Sequence, residues 1–201
     1  MQENTNNILY EVRQSYRLLF QYQARILDLM GFIGDSFECK YKGGYPRFSN
    51  SSPNKGRGRL DNWAWDWLNM YYYEFNFTRK LAKINFSVFL LNDTGFYEAK
   101  FQEKKIHEKK ISAFESSENS NSKLIFVASK KNRTEWSKIW SYTSFTLNET
   151  GQIDSGDEIM IFKSYALENF FSEDTTIEIL KDFENYCESY DLVFRYKEKT
   201  V

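Results

Sequence analysis

The chain has a single histidine, His107, and that scarcity excludes more chemistry than any motif supports. Serine or cysteine nucleophiles that depend on an imidazole base would all have to use this one residue. It sits in the charged run KKIHEKK at 104–110, the composition of a solvated face rather than of a triad or metal site. Cysteine is nearly as rare. Cys39 and Cys187 lie far apart and outside any metal-ligand spacing, so two free thiols are expected and no metal or cofactor is implied. There is no phosphate-binding G-x-x-x-x-G-K and no G-x-G-x-x-G opening a helix, which removes ordinary nucleotide-binding loops.

Net charge is missing too: 27 basic side chains face 28 acidic ones, so no global field draws nucleic acid or anionic lipid, and electrostatic recognition has to be local. No apolar run approaches the roughly 20 residues that span a bilayer, and Met1–Asn7 has neither the basic start nor the apolar centre of a secretion signal. A cytoplasmic location is the expectation. Without such a signal, the six Asn-x-Ser/Thr sequons, at Asn50, Asn76, Asn85, Asn92, Asn132 and Asn148, carry no weight.

Aromatic residues, in contrast, make up 18% of the chain. They could form a stacking surface for bases, sugars or a protein. Abundant Phe, Tyr, Lys, Asn and Ile with only two prolines also match the coding bias of an AT-rich genome, which suggests a bacterial or phage origin. With 201 residues, 41% hydrophobic and 27% charged, the expectation is one folded domain over 1–201.

Leu9, Val12, Tyr16, Leu19, Gln23, Ile26 and Met30 recur at alternating spacings of three and four, which predicts a helix over 7–30 capped by Asn7 and stopped by Gly31 and Gly34. The stripe is nearly heptad, so self-association through the helix at 7–30 stays open beside packing on the protein's own sheet; additional apolar residues around it favour the sheet. Residues 33–60 hold both prolines and five of the nine glycines and read as a basic loop. Alternation predicts strands at 71–78, 83–91, 96–101, 123–129, 142–147, 158–165 and 192–196, with a helical turn at 134–140 and a surface excursion at 102–122. A last helix, 173–189, would be capped by Ser172 and would present Ile177, Leu180, Phe183 and Cys187 on one face. The fold class is α+β: an antiparallel or mixed sheet of six to seven strands with a long N-terminal helix and a C-terminal helix packed on it.

Three features could carry function. Lys40, Lys42, Arg47, Lys55, Arg57 and Arg59 form a stretch with no acidic residue, interleaved with Tyr41, Tyr45 and Phe48. Such a stretch suits an anionic partner, nucleic acid among them, and suits plain solvation as well; Asp35, Glu38 and Asp61 lie just outside as counter-charges. Glu98-Ala99-Lys100 after Asp93 has the form of the E-x-K half of a PD-(D/E)xK nuclease site, where carboxylates hold Mg²⁺ and the lysine positions water, but Asp93 is too close and Asp66 or Glu74 would have to replace it. Trp63, Trp65 and Trp67 could wall a pocket, or build core at roughly 2 to 3 kcal/mol each. Without a credible catalytic constellation, the leading expectation is a non-catalytic binding or accessory protein of a larger system. A metal-dependent nuclease using Glu98 and Lys100, or a protein-binding inhibitor, immunity or anti-defence factor, are the alternatives.

Overall fold

The structure is a computed structural model and describes residues 2–46, 72–79, 84–101, 111–130, 140–154 and 159–198. Its first element is the helix α1, Gln2–Ser36, followed by strands β1 (Lys40–Pro46), β2 (Tyr72–Thr78) and β3 (Ile84–Leu91). Next come a short helix α2 (Gly95–Phe101), strand β4 (Lys123–Lys130), a second short helix α3 (Tyr142–Leu147), and the pair β5 (Thr150–Asp154) and β6 (Ile159–Ala166). Helix α4, Glu173–Glu188, follows a single 3-10 turn at Leu167–Phe170.

The six strands form one antiparallel sheet in the order β1-β2-β3-β4-β6-β5. The fold is therefore α+β, and the strands read from alternation near 71–78, 83–91, 123–129 and 158–165 are all present. Register brings Phe77, Phe86, Ala128 and Ile161 into one row across four strands, and α1 and α4 cover that row with Ile26, Met30, Ile33, Leu180 and Phe183. Phe86 lies at its centre, 5.5 Å from Phe37, 4.8 Å from Phe194 and 5.7 Å from Phe126 between ring centroids. Burial of so many rings supplies the largest favourable contribution to folding, since each removes an extended apolar area from water.

A second core lies on the opposite face, where Phe89, Leu91, Ile125, Val127 and Phe162 are covered by Tyr97 of α2, Phe145 of α3 and the partly buried Phe114 and Trp140. Helices thus pack on both faces of the sheet. The cause is visible in β3 and β4, in which consecutive residues are buried and both faces are apolar.

Several expectations give way here. Segments 96–101 and 142–147 are helices, not strands, because Tyr97 and Phe145 reach the second core from one turn of helix each. The expected loop at 33–60 holds the last turn of α1 and all of β1, and β5 lies in the gap left between 147 and 158. Residues 192–196 do not join the sheet and are anchored by Leu192 and Phe194 in the first core. Part of the expected surface excursion packs too, through Phe114. The helical turn expected at 134–140 lies, but for Trp140, outside the described residues, as does His107.

Helix α1 continues through both glycines proposed as its stop, because Ile33 between them and Phe37 just past the helix end are fully buried and their packing exceeds the roughly 1 kcal/mol that each helical glycine costs. Helix α4 starts where expected: the Ser172 Oγ accepts from the Thr175 N–H at 3.2 Å.

Candidate interaction surface

Helix α1 changes surroundings part-way along its length. Residues 7–21 are exposed at every position, whereas Ile26, Met30 and Ile33 are buried on the sheet. The boundary lies at Tyr22, whose phenol donates to the Asn92 Oδ1 at 2.6 Å and is pushed up to about 12 by burial. Close approach below that point depends on Gly34: a Cβ there would meet the Phe77 Cε1 at 2.9 Å and the Cys39 carbonyl oxygen at 3.2 Å.

The exposed half is not polar. Ile8, Leu9, Tyr10, Val12, Tyr16, Leu18, Leu19 and Phe20 are between 42% and 77% exposed. Leu9, Val12, Tyr16 and Leu19 continue, at the same three-four spacing, the stripe that Ile26, Met30, Ile33 and Phe37 carry into the core. The spacing announced the stripe, but not which half would meet the sheet. Single exposed apolar residues need no explanation, but a contiguous face of this extent marks a contact surface.

Of the six basic candidates, Lys40 and Lys42 stand exposed on β1, at one edge of the described sheet. Arg47, Lys55, Arg57 and Arg59 lie outside the described residues, as do Trp63, Trp65 and Trp67. The neighbouring Glu38 is engaged elsewhere: it accepts from Arg79 at 3.0 Å and from Lys197 at 2.5 Å, and these two cations, Lys197 first, hold its carboxyl below the usual carboxylate range. Glu38 caps α1 with a left-handed backbone, φ 53°. Tyr41, between the lysines, packs its ring against Phe75 and Phe77.

Glu98 and Lys100 both lie on α2. Positions two residues apart on a helix are separated by about 200° around its axis, whereas the nuclease pattern needs its Glu and Lys on one face of a strand. Asp93 is occupied with the turn, its Oδ1 accepting from the Gly95 N–H at 2.7 Å. Glu98 instead faces Lys123 of β4, whose amine is lowered by burial, with Glu98 and Glu149 acting the other way. The structure therefore does not assemble the E-x-K arrangement. Among the described residues no three His, Cys, Asp or Glu side chains gather as a metal site would require.

Sequence reasoning also passed over a polar patch on the second face: Glu74, Asn76 and Ser129 are buried there, and Ser87 donates to the Asn76 Oδ1 at 2.8 Å. Glu74 and Asn76 both have partners, so the patch reads as satisfied interior. Its signal was the polar alternate positions of β2, which alternation assigns to solvent.

Among the described residues no helix is long and apolar enough to cross a membrane. No curated protein and no solved structure matches the chain. The PM0109 family profile matches residues 2–191, and with that coverage the chain belongs to the PM0109 family.

Proposed function

We propose that this protein is a non-catalytic binding or accessory component of a larger system, which works by contact with a protein chain through the exposed half of α1. One observation carries the reading: residues 8–20 display a run of large apolar side chains on a helix whose following turns are anchored in the core. An amphipathic helix held rigidly at one end is pre-organised to present its apolar face to a groove or a second helix, which lowers the ordering cost of binding. The test is capture of binding partners on the purified protein, with each captured chain then reconstituted from pure components. Val12→Lys with Leu19→Lys should abolish the reconstituted contact while leaving the melting temperature unchanged. Equal binding by the variant would exclude α1 as the surface.

A second reading has its own support. Lys40 and Lys42 are exposed on an edge strand that leads into the basic stretch ending at Arg59, and Glu38 is already engaged by Arg79 and Lys197. This favours contact with an anionic partner such as nucleic acid. Binding to labelled DNA and RNA across a salt series should then weaken as salt rises, with a shallower slope for Lys40→Ala/Lys42→Ala. A slope unaltered by that variant would remove the two lysines from the contact.

A further inference from the structure

Resting on the α1 reading above, we infer that the occupant of the exposed stripe is a second copy of this chain, with the two α1 helices paired antiparallel about a two-fold axis. Three properties lead to this occupant. The stripe has the three-four spacing that interlocks with another helix of the same period, and Leu9, Val12, Tyr16 and Leu19 are its members. Its area suffices: these four with the flanking Ile8 and Phe20 leave about 650 Å² exposed per chain, and two copies would bury up to about 1,300 Å², at the lower end of the range of specific interfaces. A self-complementary patch on a two-fold axis closes on itself and leaves no open end to polymerise.

The direction follows from where the body lies. Ile26, Met30 and Ile33 continue the same stripe and are already covered by the sheet. A parallel second helix would run along the stripe past Leu19 and collide with that sheet. An antiparallel one ends its overlap near Tyr22, where the body begins, and its own body then starts beside Asn6, in the first turns of the other helix. The overlap spans residues 8–20, about 20 Å of helix, centred near Gln14. It sets Leu9 of one copy against Leu19 of the other, and Val12 against Tyr16. One face of α1 is then covered over its length, by its own sheet at one end and by its twin at the other.

Sedimentation of the full chain at about 50 µM should give twice the 24.1 kDa chain mass. Leu9→Lys with Leu19→Lys should give the single mass, association at least tenfold weaker, and an unchanged circular dichroism spectrum. Should that variant fail to fold, single-cysteine variants decide. On mild oxidation, a mixture of Leu9→Cys and Leu19→Cys should cross-link between the two variants, and Leu9→Cys alone should not cross-link with itself. A monomeric wild-type chain, a dimer that survives both lysines, or self-cross-linking of Leu9→Cys would overturn the inference. A monomer whose stripe still binds a different protein overturns this inference alone. A monomer in which stripe variants alter no binding overturns the reading of α1 as well.

Discussion

Leu19 and Ile26 lie two turns apart on one stripe of α1, yet Ile26 is 5% exposed and Leu19 is 44% exposed. The same side-chain chemistry therefore serves two purposes on one helix. Ile26→Ala should cost about 2 to 4 kcal/mol, as truncation of a buried aliphatic residue does, whereas Leu19→Ala should stay within about 0.5 kcal/mol. Urea unfolding at low protein concentration, where self-association contributes least, measures both. Similar costs at the two sites would mean that the exposed half is packed within the chain after all.

Gly31 and Gly34 should respond to alanine with opposite signs. Gly31 is an exposed helical position with nothing near its absent Cβ, so Gly31→Ala should stabilise by up to about 1 kcal/mol through helix propensity. Gly34→Ala would force its Cβ against the Phe77 ring and the Cys39 carbonyl and should destabilise by about 1 to 3 kcal/mol. Thermal melts of the two variants read the signs directly.

Phe86 contacts the rings of Phe37 just past α1, Phe126 of β4, Phe183 of α4 and Phe194 near the C-terminus at once, so its loss cannot be filled by one neighbour's movement. Phe86→Ala should cost about 3 to 5 kcal/mol. A cost near that of a surface residue, measured by denaturant unfolding, would place Phe86 outside the core.

Glu38 should couple stability to acid. Its carboxyl is held below the usual range by Lys197 and Arg79, so the folded state binds its proton less readily than the unfolded chain. Its contribution is present above the ordinary carboxylate range and is lost as pH falls through the lowered folded value. Melting temperature followed from neutral pH down to about pH 3 should fall less for Glu38→Gln than for the wild-type chain. Carboxyl titration by NMR should show the Glu38 midpoint rising towards that of free glutamate in Lys197→Ala. An unmoved midpoint would show that the pair does not form in solution.

The two thiols should be silent in the native protein. Burial pushes Cys39 up to about 11 and raises Cys187 further, and both are free and buried. Thiolate supplies the reactivity, so a disulfide reagent at neutral pH should label neither residue until denaturant is added, and then both. Rapid labelling of the folded chain would contradict their burial.

The sequence alone determined the parts of this protein that regular burial writes into it. Ile84, Phe86, Val88 and Leu90 alternate because one face of β3 meets the first core, and Ser172 followed by an apolar three-four pattern marks α4, so both elements could be read directly. The tertiary structure decided what periodicity leaves open. Segments 96–101 and 142–147 are too short to show a period, and they become helices because one turn delivers Tyr97 and Phe145 to a second core that alternation in β3 did not announce. Glu98 and Lys100 lose their common face for the same reason. The stripe of α1 was legible from Leu9 to Met30, but whether a position on it meets sheet or water depends on where the sheet ends, and that is set by residues distant in the chain.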